Sequence, residues 1–365
     1  MSTLVPAIDH LIERGAAFVA WRPAHASTPV LILPRALDRA SGFSMSPFDD
    51  RFGTHAVHWP ADHVVAASAA HPHLLSDLDL AVHDMREAPP MDVADQASFE
   101  ARVARHIEAI RRGDLRKVVA ARCAPAHPVP PDRIGRVFDT LCAAHPSAHV
   151  SLTVHPESGL WIGATPEVLT TRRGTTWQTI ALAGTRPAGS DGPWGAKERD
   201  EQAIITQTIQ DRLTARGITD LEIGETTTRA AGPVEHIATP IRFRAALDTQ
   251  VLLDTLHPTP AVAGEPLGAS LDAIAATEGD RLYYAGHLGW ERPGGEALFV
   301  VNLRCMRLLP DSTEVFVGAG ITAGSDPGAE WEETERKAET MFAALRAANG
   351  DEGQGLRWRA DTRSK

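Results

Sequence analysis

Cysteine is scarce. Only Cys123, Cys142 and Cys305 occur in 365 residues, and no two form a C-x-x-C pair. An odd, unpatterned set argues against a disulfide framework, and idle thiols in a reducing compartment are expected instead. Long apolar runs are missing too, so no segment has the ~20 apolar residues that a bilayer span needs. The first twenty residues carry Asp9, Glu13 and Arg14 where a signal peptide would have its apolar core. The expectation is a cytoplasmic protein. Basic residues are outnumbered 36 to 47, giving a formal net charge of −11. That balance opposes nucleic acid and anionic membranes as partners. An anionic substrate would need local cations to hold it. Repeats and low-complexity tracts are also absent.

What is present is ordinary in bulk, with 43% hydrophobic and 23% charged residues, as in a soluble globular protein. One domain is expected over residues 1–350, with a variable N-terminal part (1–94), a motif-bearing part (95–350) and a tail (351–365). The Pro-rich polar stretch Glu87 to Asp95 would link the two parts. Before it come short apolar runs at Pro29 to Leu33 and Val64 to Ala67. His55, His58, His63, His71, His73 and His83 crowd the same region. Their spacing matches no zinc pattern, and Pro72 breaks the local run.

Beyond Asp95 the periodicity turns helical, with Phe99, Val103, Ile107 and Ile110 on one face and Gly113 as a stop. Strands are expected at Lys117 to Arg122, His149 to Val154, Leu160 to Gly163, Val168 to Thr171 and Trp177 to Leu182. A helix follows over Trp194 to Arg216. Then come an extended stretch over Glu235 to Ala246, a helix near Thr249 to Thr255, and strands at Ala297 to Leu308 and Glu314 to Ala319. A last helix opens at Ser325-Asp326-Pro327 and closes near Gly350. Strands arrive in clusters rather than alternating with helices, which favours an α+β fold with antiparallel sheets. Gly318-Ala319-Gly320…Gly324 is a poor dinucleotide fingerprint, because the third glycine is one residue late.

Two helices carry acids in costly places. Glu198 and Glu201 share a helix face with Ile205 and Ile209. Glu330 and Glu333 repeat the spacing beside the apolar face of Trp331, Thr334, Ala338, Met341, Phe342 and Leu345, with Lys337 on the acidic stripe. Ordinary surface charge accounts for either helix alone: acids suit a first turn, and Glu333–Lys337 is an i,i+4 pair. Together the four carboxylates suit a hard cation such as magnesium. Lys117 starts an apolar strand, as a solvated edge residue or as a general base drawn into a dry site. Glu167 follows Pro166, as a turn residue or as a carboxyl kept protonated to donate. Arg304 lies inside the apolar run Leu298 to Met306, where a charge calls for a partner such as a substrate carboxylate.

These residues fall in ten segments that occur in the order of a known family. They are Lys117-Val-Val-Ala-Ala-Arg122, Gly163-Ala-Thr-Pro-Glu167, Ala181-Leu-Ala-Gly-Thr-Arg186, Lys197-Glu-Arg-Asp-Glu201 and Glu235-His-Ile-Ala-Thr-Pro240. Then come His257-Pro-Thr-Pro-Ala-Val-Ala-Gly264, Tyr284-Ala-Gly286, Val301-Asn-Leu-Arg304, Gly318-Ala-Gly-Ile321 and Glu330-Trp-Glu-Glu-Thr334 with Lys337. The chain from about Phe99 onward resembles the chorismate-utilising enzymes, which include isochorismate, salicylate, anthranilate and aminodeoxychorismate synthases. The N-terminal third matches only loosely. The resemblance implies two large, mostly antiparallel sheets packed together with helices outside. It implies magnesium bound directly by Glu201 and Glu333, and through water by Glu198 and Glu330. Gly184 and Thr185 would shape the ring-carboxylate end of the pocket, and His236 would line it. Tyr284, Arg304 and backbone N–H groups near Gly318 would hold the enolpyruvyl carboxylate, with Lys337 adding positive charge. Lys117 would be the general base and Glu167 the general acid.

Within that family the sequence is most similar to isochorismate synthases. Ala183 stands where aminodeoxychorismate synthases carry a lysine nucleophile. No glutamine amidotransferase is fused to the chain, so no obligate protein partner is expected. His236-Ile-Ala-Thr-Pro240 also looks like isochorismate synthases, although Ile237 replaces a common leucine and Gln202 a common histidine. Salicylate synthase, which adds pyruvate elimination, is the alternative, followed by an aminating relative.

Overall fold

The computed structural model describes residues 4–37, 42–83, 93–231, 234–292 and 294–349. Most of the expected linker and all of the 351–365 tail lie outside these residues. The described chain forms an α+β fold of two large antiparallel sheets. The first runs in the order Gly264–Glu265, Lys117–Ala126, Thr313–Ile321, Cys305–Leu308, Gly159–Thr165, His149–His155, Phe18–Arg22, Val30–Leu33 and His63–Ala66. The second runs Leu221–Ile223, Val234–Arg244, Thr176–Pro187, Val168–Arg173, Glu296–Val301, His287–Arg292, Phe43–Ser46 and Val57–Trp59. Thr227–Ala231 also pairs with Val234–Arg244.

One apolar cluster fills the space between the sheets and contains Trp21, Phe43, Trp59, Trp177 and Phe299. A second lies between the first sheet and the helices Leu4–Glu13, Ile134–Ala144 and Pro327–Asn349, with Ile8, Phe138, Met341 and Leu345. Large aromatics of this kind each remove roughly 150–250 Å² from water. Strands of the first sheet are therefore covered on both faces. His149–His155 is buried at every position, although its sequence alternates polar and apolar residues. No helix among the described residues is long and apolar enough to cross a membrane. Cys123 and Cys305 are buried, and Cys142 is half-buried; all three are free thiols.

Two of the connections that carry the chain from one sheet to the other lie side by side. Thr165 to Val168 leaves the first sheet for the second, and Val301 to Cys305 returns. The Ala164 N–H donates to the Arg304 carbonyl at 3.0 Å, and the Val301 N–H donates to the Glu167 carbonyl at 3.0 Å. Gly163 permits this approach, since a Cβ there would come 2.8 Å from the Cys305 Cβ and 3.0 Å from the Arg304 oxygen. The expected single strand Ala297 to Leu308 is thus two strands in different sheets. Arg304 sits in the crossing between them, with a left-handed φ of 47°. Both halves are apolar and buried, so the sequence hides the break. In the fold, the Asn302 amide donates to the Tyr283 carbonyl at 2.9 Å and fixes the turn.

The strands Thr176–Pro187 and Val234–Arg244 slip register between Ala183 and Arg186, so that Gly184 and Thr185 together oppose His236. Gly184 takes a φ of 53°, which glycine accepts without a Cβ penalty. The His236 Nδ1 lies 2.9 Å from the Gly184 carbonyl and closes the bulge. A glycine inside a strand pattern is the usual sign of such a kink.

Candidate active site

The helix Ala196–Ala215 packs on the bulged strand, and Pro327–Asn349 packs on Thr313–Ile321. Each brings its acidic first turn toward the end of the first sheet where the strand Lys117–Ala126 begins. Glu198, Glu201, Gln202, Ile205 and Ile209 face inward, while Arg199 and Asp200 are exposed. The Lys117 ammonium lies 3.1 Å from Glu201 Oε1, joining the first sheet to this helix. The Lys337 ammonium lies 2.7 Å from Glu333 Oε1 and donates to the Gly318 carbonyl at 2.8 Å. Gly184 sits against Glu198, where a Cβ would meet the Glu198 Cβ at 3.4 Å and the Trp194 ring at 3.3 Å. The side chain of Thr185 lies outside the described residues.

Glu167 stands among cations. Burial pushes its carboxyl up to about 6, and the charges of Lys117, Lys337 and Arg304 pull it back down. Burial of Arg304 disfavours its charged form and lowers its pKa, while Glu167 opposes that shift. His236 is lowered by burial and also feels Arg304 and Lys337. The Tyr284 hydroxyl, raised by burial, reaches Gly318; a Cβ at Gly318 would lie 2.9 Å from the phenol oxygen. The Tyr284 ring stacks on Phe316 at 5.6 Å. Pairing of Thr313–Ile321 with Cys305–Leu308 ends at Phe316, so beyond Val317 that strand no longer covers this backbone edge. Lys117, Glu167, His236, Tyr284, Arg304, Gly318 and Lys337 are thus linked by contact or field into one neighbourhood, bounded by the two acidic helices.

Among the described residues, no three acids, histidines or cysteines stand close enough to enclose an ion; this includes the N-terminal histidines. The four carboxylates come instead as one pair per helix, and a lysine cation already sits on one acid of each pair. Burial and the Glu333 charge raise Glu330, against a Ser325 hydrogen bond. An all-oxygen set with few direct protein ligands suits magnesium, which keeps water and substrate oxygens in its shell.

Two cavities lie off the ion-paired cluster, and the second reaches it through Tyr284. One of about 640 Å³ is lined by Trp21, Arg172, Arg242 and Trp290. Another of about 260 Å³ is lined by Arg102, Arg122, Glu278, Arg281 and Tyr284. Neither includes Lys117, Glu167 or the helix acids; Lys117 is closed on Glu201 and Lys337 on Glu333 as ion pairs.

Residues from 70 to 346 match the family described as chorismate binding enzyme. The chain belongs to that family. A chorismate binding enzyme from Pseudomonas aeruginosa, named as a salicylate biosynthesis isochorismate synthase, is 34% identical over 270 residues. The alignment covers 70% of this chain and 56% of that protein, so the chain matches little more than half of its length. The isochorismate synthase EntC of Escherichia coli is 30% identical over 264 residues, 68% of this chain and 67% of that one. The fold matches that of MenF, the menaquinone-specific isochorismate synthase of Escherichia coli. The TM-score is 0.75 at 20% identity, over 93% of this chain and 91% of the other.

Sequence reasoning missed the supports of this site. The Glu278–Arg281 pair is buried and spans 2.7 Å. Arg281 donates to the Val119 and Val262 carbonyls at 2.6 and 3.0 Å, and Glu278 accepts from the Ala121 N–H at 2.8 Å. Together they hold the strand that carries Lys117. An acid and an arginine three apart, just before Tyr284-Ala-Gly286, were the available signal.

Proposed function

We propose that this chain is an isochorismate synthase that interconverts chorismate and isochorismate with magnesium bound between its two acidic helices. The observation that carries the proposal is the setting of Glu167, a carboxyl pushed up to about 6 beside Lys117, Lys337 and Arg304. Such a group can hold a proton near neutral pH and give it to a departing hydroxyl. Lys117, released from Glu201, takes a proton from the water that attacks ring carbon C2. Glu167 protonates the C4 hydroxyl, which leaves as water while the ring double bonds shift between the two centres. One water enters and one leaves. Glu201 and Glu333 would hold the metal directly, and Glu198 and Glu330 would act through water. Bound there, magnesium would neutralise the ring carboxylate and fix the ring. Gly184, Thr185 and His236 shape that end. Tyr284, Arg304, Lys337 and the backbone at Gly318 take the enolpyruvyl carboxylate, and Arg304 is suited to a bidentate grip. Small-molecule anion binding by a protein of net charge −11 thus rests on a few local cations.

Ala183 is buried in the strand beside the bulge. It offers no amine, which argues against covalent amination. Chromatography of products from chorismate, with magnesium and then with excess chelator, tests the proposal. Magnesium-dependent isochorismate without pyruvate is expected. Salicylate with pyruvate would move the assignment to salicylate synthase, and product formed equally in chelator would remove the metal.

A further inference from the structure

We infer that Gln202 and Arg122 are positioning residues that set the spacing between Glu201 and Glu333. The inference rests on the magnesium reading proposed above. The helix Ala196–Ala215 starts at Gly195 without a side-chain cap hydrogen bond, so its first turn needs another anchor. Gln202, immediately after Glu201, is 3% exposed. Its Nε2 donates to the Ala181 carbonyl at 3.0 Å and to Thr239 Oγ1 at 2.8 Å. The carbonyl only accepts, so it dictates which end of the amide faces it. Ala181 and Thr239 lie on the two strands that form the bulge, three residues before Gly184 and three after His236. One buried amide therefore ties the acid turn of this helix to the bulge at the ring-carboxylate end of the site.

The other helix has a matching anchor. Thr334, immediately after Glu333, is fully buried and accepts from Arg122 Nε at 2.7 Å. The Arg122 guanidinium lies over the Trp331 ring, 3.9 Å from its centroid, and also bonds Glu335. Trp331, Thr334 and Glu335 form the helix stripe beside Glu330 and Glu333. Arg122 is on the strand that begins with Lys117, so this anchor ties the second acid turn to the strand of the general base. In both helices the residue that follows a ligand acid is buried, polar and bonded to a sheet or to a side chain from one. Neither anchor touches a carboxylate of the proposed metal set, and each acts by fixing its backbone. Outer partners of metal ligands typically change affinity by about 10–100-fold when removed.

The test uses the full chain and isosteric changes that leave the four acids in place. Thr239→Val removes the Gln202 partner, and Thr334→Val removes the Arg122 partner. Gln202→Leu and Arg122→Met break the same anchors from the other side and serve if a valine variant fails to fold. Manganese, as a spectroscopic probe of the site, is titrated while free ion is followed by electron paramagnetic resonance. The magnesium concentration for half-maximal turnover is measured in parallel. Each variant is expected to need about tenfold more metal by both readouts, with kcat at saturating magnesium close to that of the parent. Arg122→Lys, which keeps the charge over Trp331, is expected to regain part of the loss. Metal affinity within twofold of the parent in all variants, while Glu201→Gln abolishes binding, would overturn the positioning role and leave the metal reading standing. Unchanged manganese binding in Glu201→Gln would overturn both.

Discussion

At the scale of a residue, Glu167 shows what the site costs. Its carboxyl titrates at about 6 against an ordinary 4.5. At pH 7 about a tenth of it stays protonated, compared with about one in three hundred at the ordinary value. Between those two values the native state binds more protons than the unfolded chain. The contribution to stability is therefore fully present below 4.5 and is lost as pH rises through about 6. Glu167→Gln removes that loss. At about pH 7.5 the variant is expected to be more stable by about 1–2 kcal/mol and to form no isochorismate. Thermal unfolding at about pH 4.5 and 7.5, beside product chromatography, checks both halves; no gain at the higher pH would contradict the burial account. Lys117→Ala is expected to lose about 10²–10⁴-fold in turnover with the same circular dichroism as the parent, because the strand that carries it stays paired with Gly264–Glu265 and Thr313–Ile321. Normal turnover in that variant would remove the general base.

At the scale of an element, the bulge and the sheet crossing do most of the positioning, and they were the least legible parts of the sequence. The strand Trp177 to Leu182 was read from its pattern, yet the kink beyond it was not, although Gly184 inside an extended run was a usable sign. Gly184→Ala would force an alanine to a φ of 53° and push a Cβ against Trp194 and Glu198. A loss of about 1–3 kcal/mol in urea unfolding is expected, together with a raised magnesium requirement. Arg304 is legible as a charge in an apolar run, but it lies between two strands rather than inside one. Periodicity cannot reveal a chain that leaves one buried strand and enters another after three residues. From the crossing, the Arg304 guanidinium shares a field with Glu167 and His236. Arg304→Lys keeps the charge and loses the fork, so KM for chorismate should rise about tenfold or more. An unchanged KM would take Arg304 out of the carboxylate grip.

At the scale of the whole molecule, clustered strands read as antiparallel sheets, and the ordered motifs gave the family; both agree with the two sheets and the family match. The helices Gln96–Arg112, Ala196–Ala215, Thr249–Leu256 and Pro327–Asn349 are legible in the sequence, whereas Leu4–Glu13, Ile134–Ala144 and Leu267–Glu278 are not among those it suggests. The sequence could not reveal how the acids are held. Burial of Gln202, Arg122 and Glu278 depends on contacts between segments far apart in the chain. The Glu333–Lys337 pair is legible from its i,i+4 spacing, but the contact of Lys117 with Glu201, 84 residues apart, is not. The central claim is that water enters at C2 as the C4 hydroxyl leaves, and isotopic labelling reaches it most directly. The protein would be given chorismate and magnesium in heavy-oxygen water, and early product analysed by mass spectrometry. One heavy oxygen in isochorismate, located at C2, is the expected result. Isochorismate formed without label would mean that the hydroxyl migrates within the substrate, and would contradict the roles given to Lys117 and Glu167.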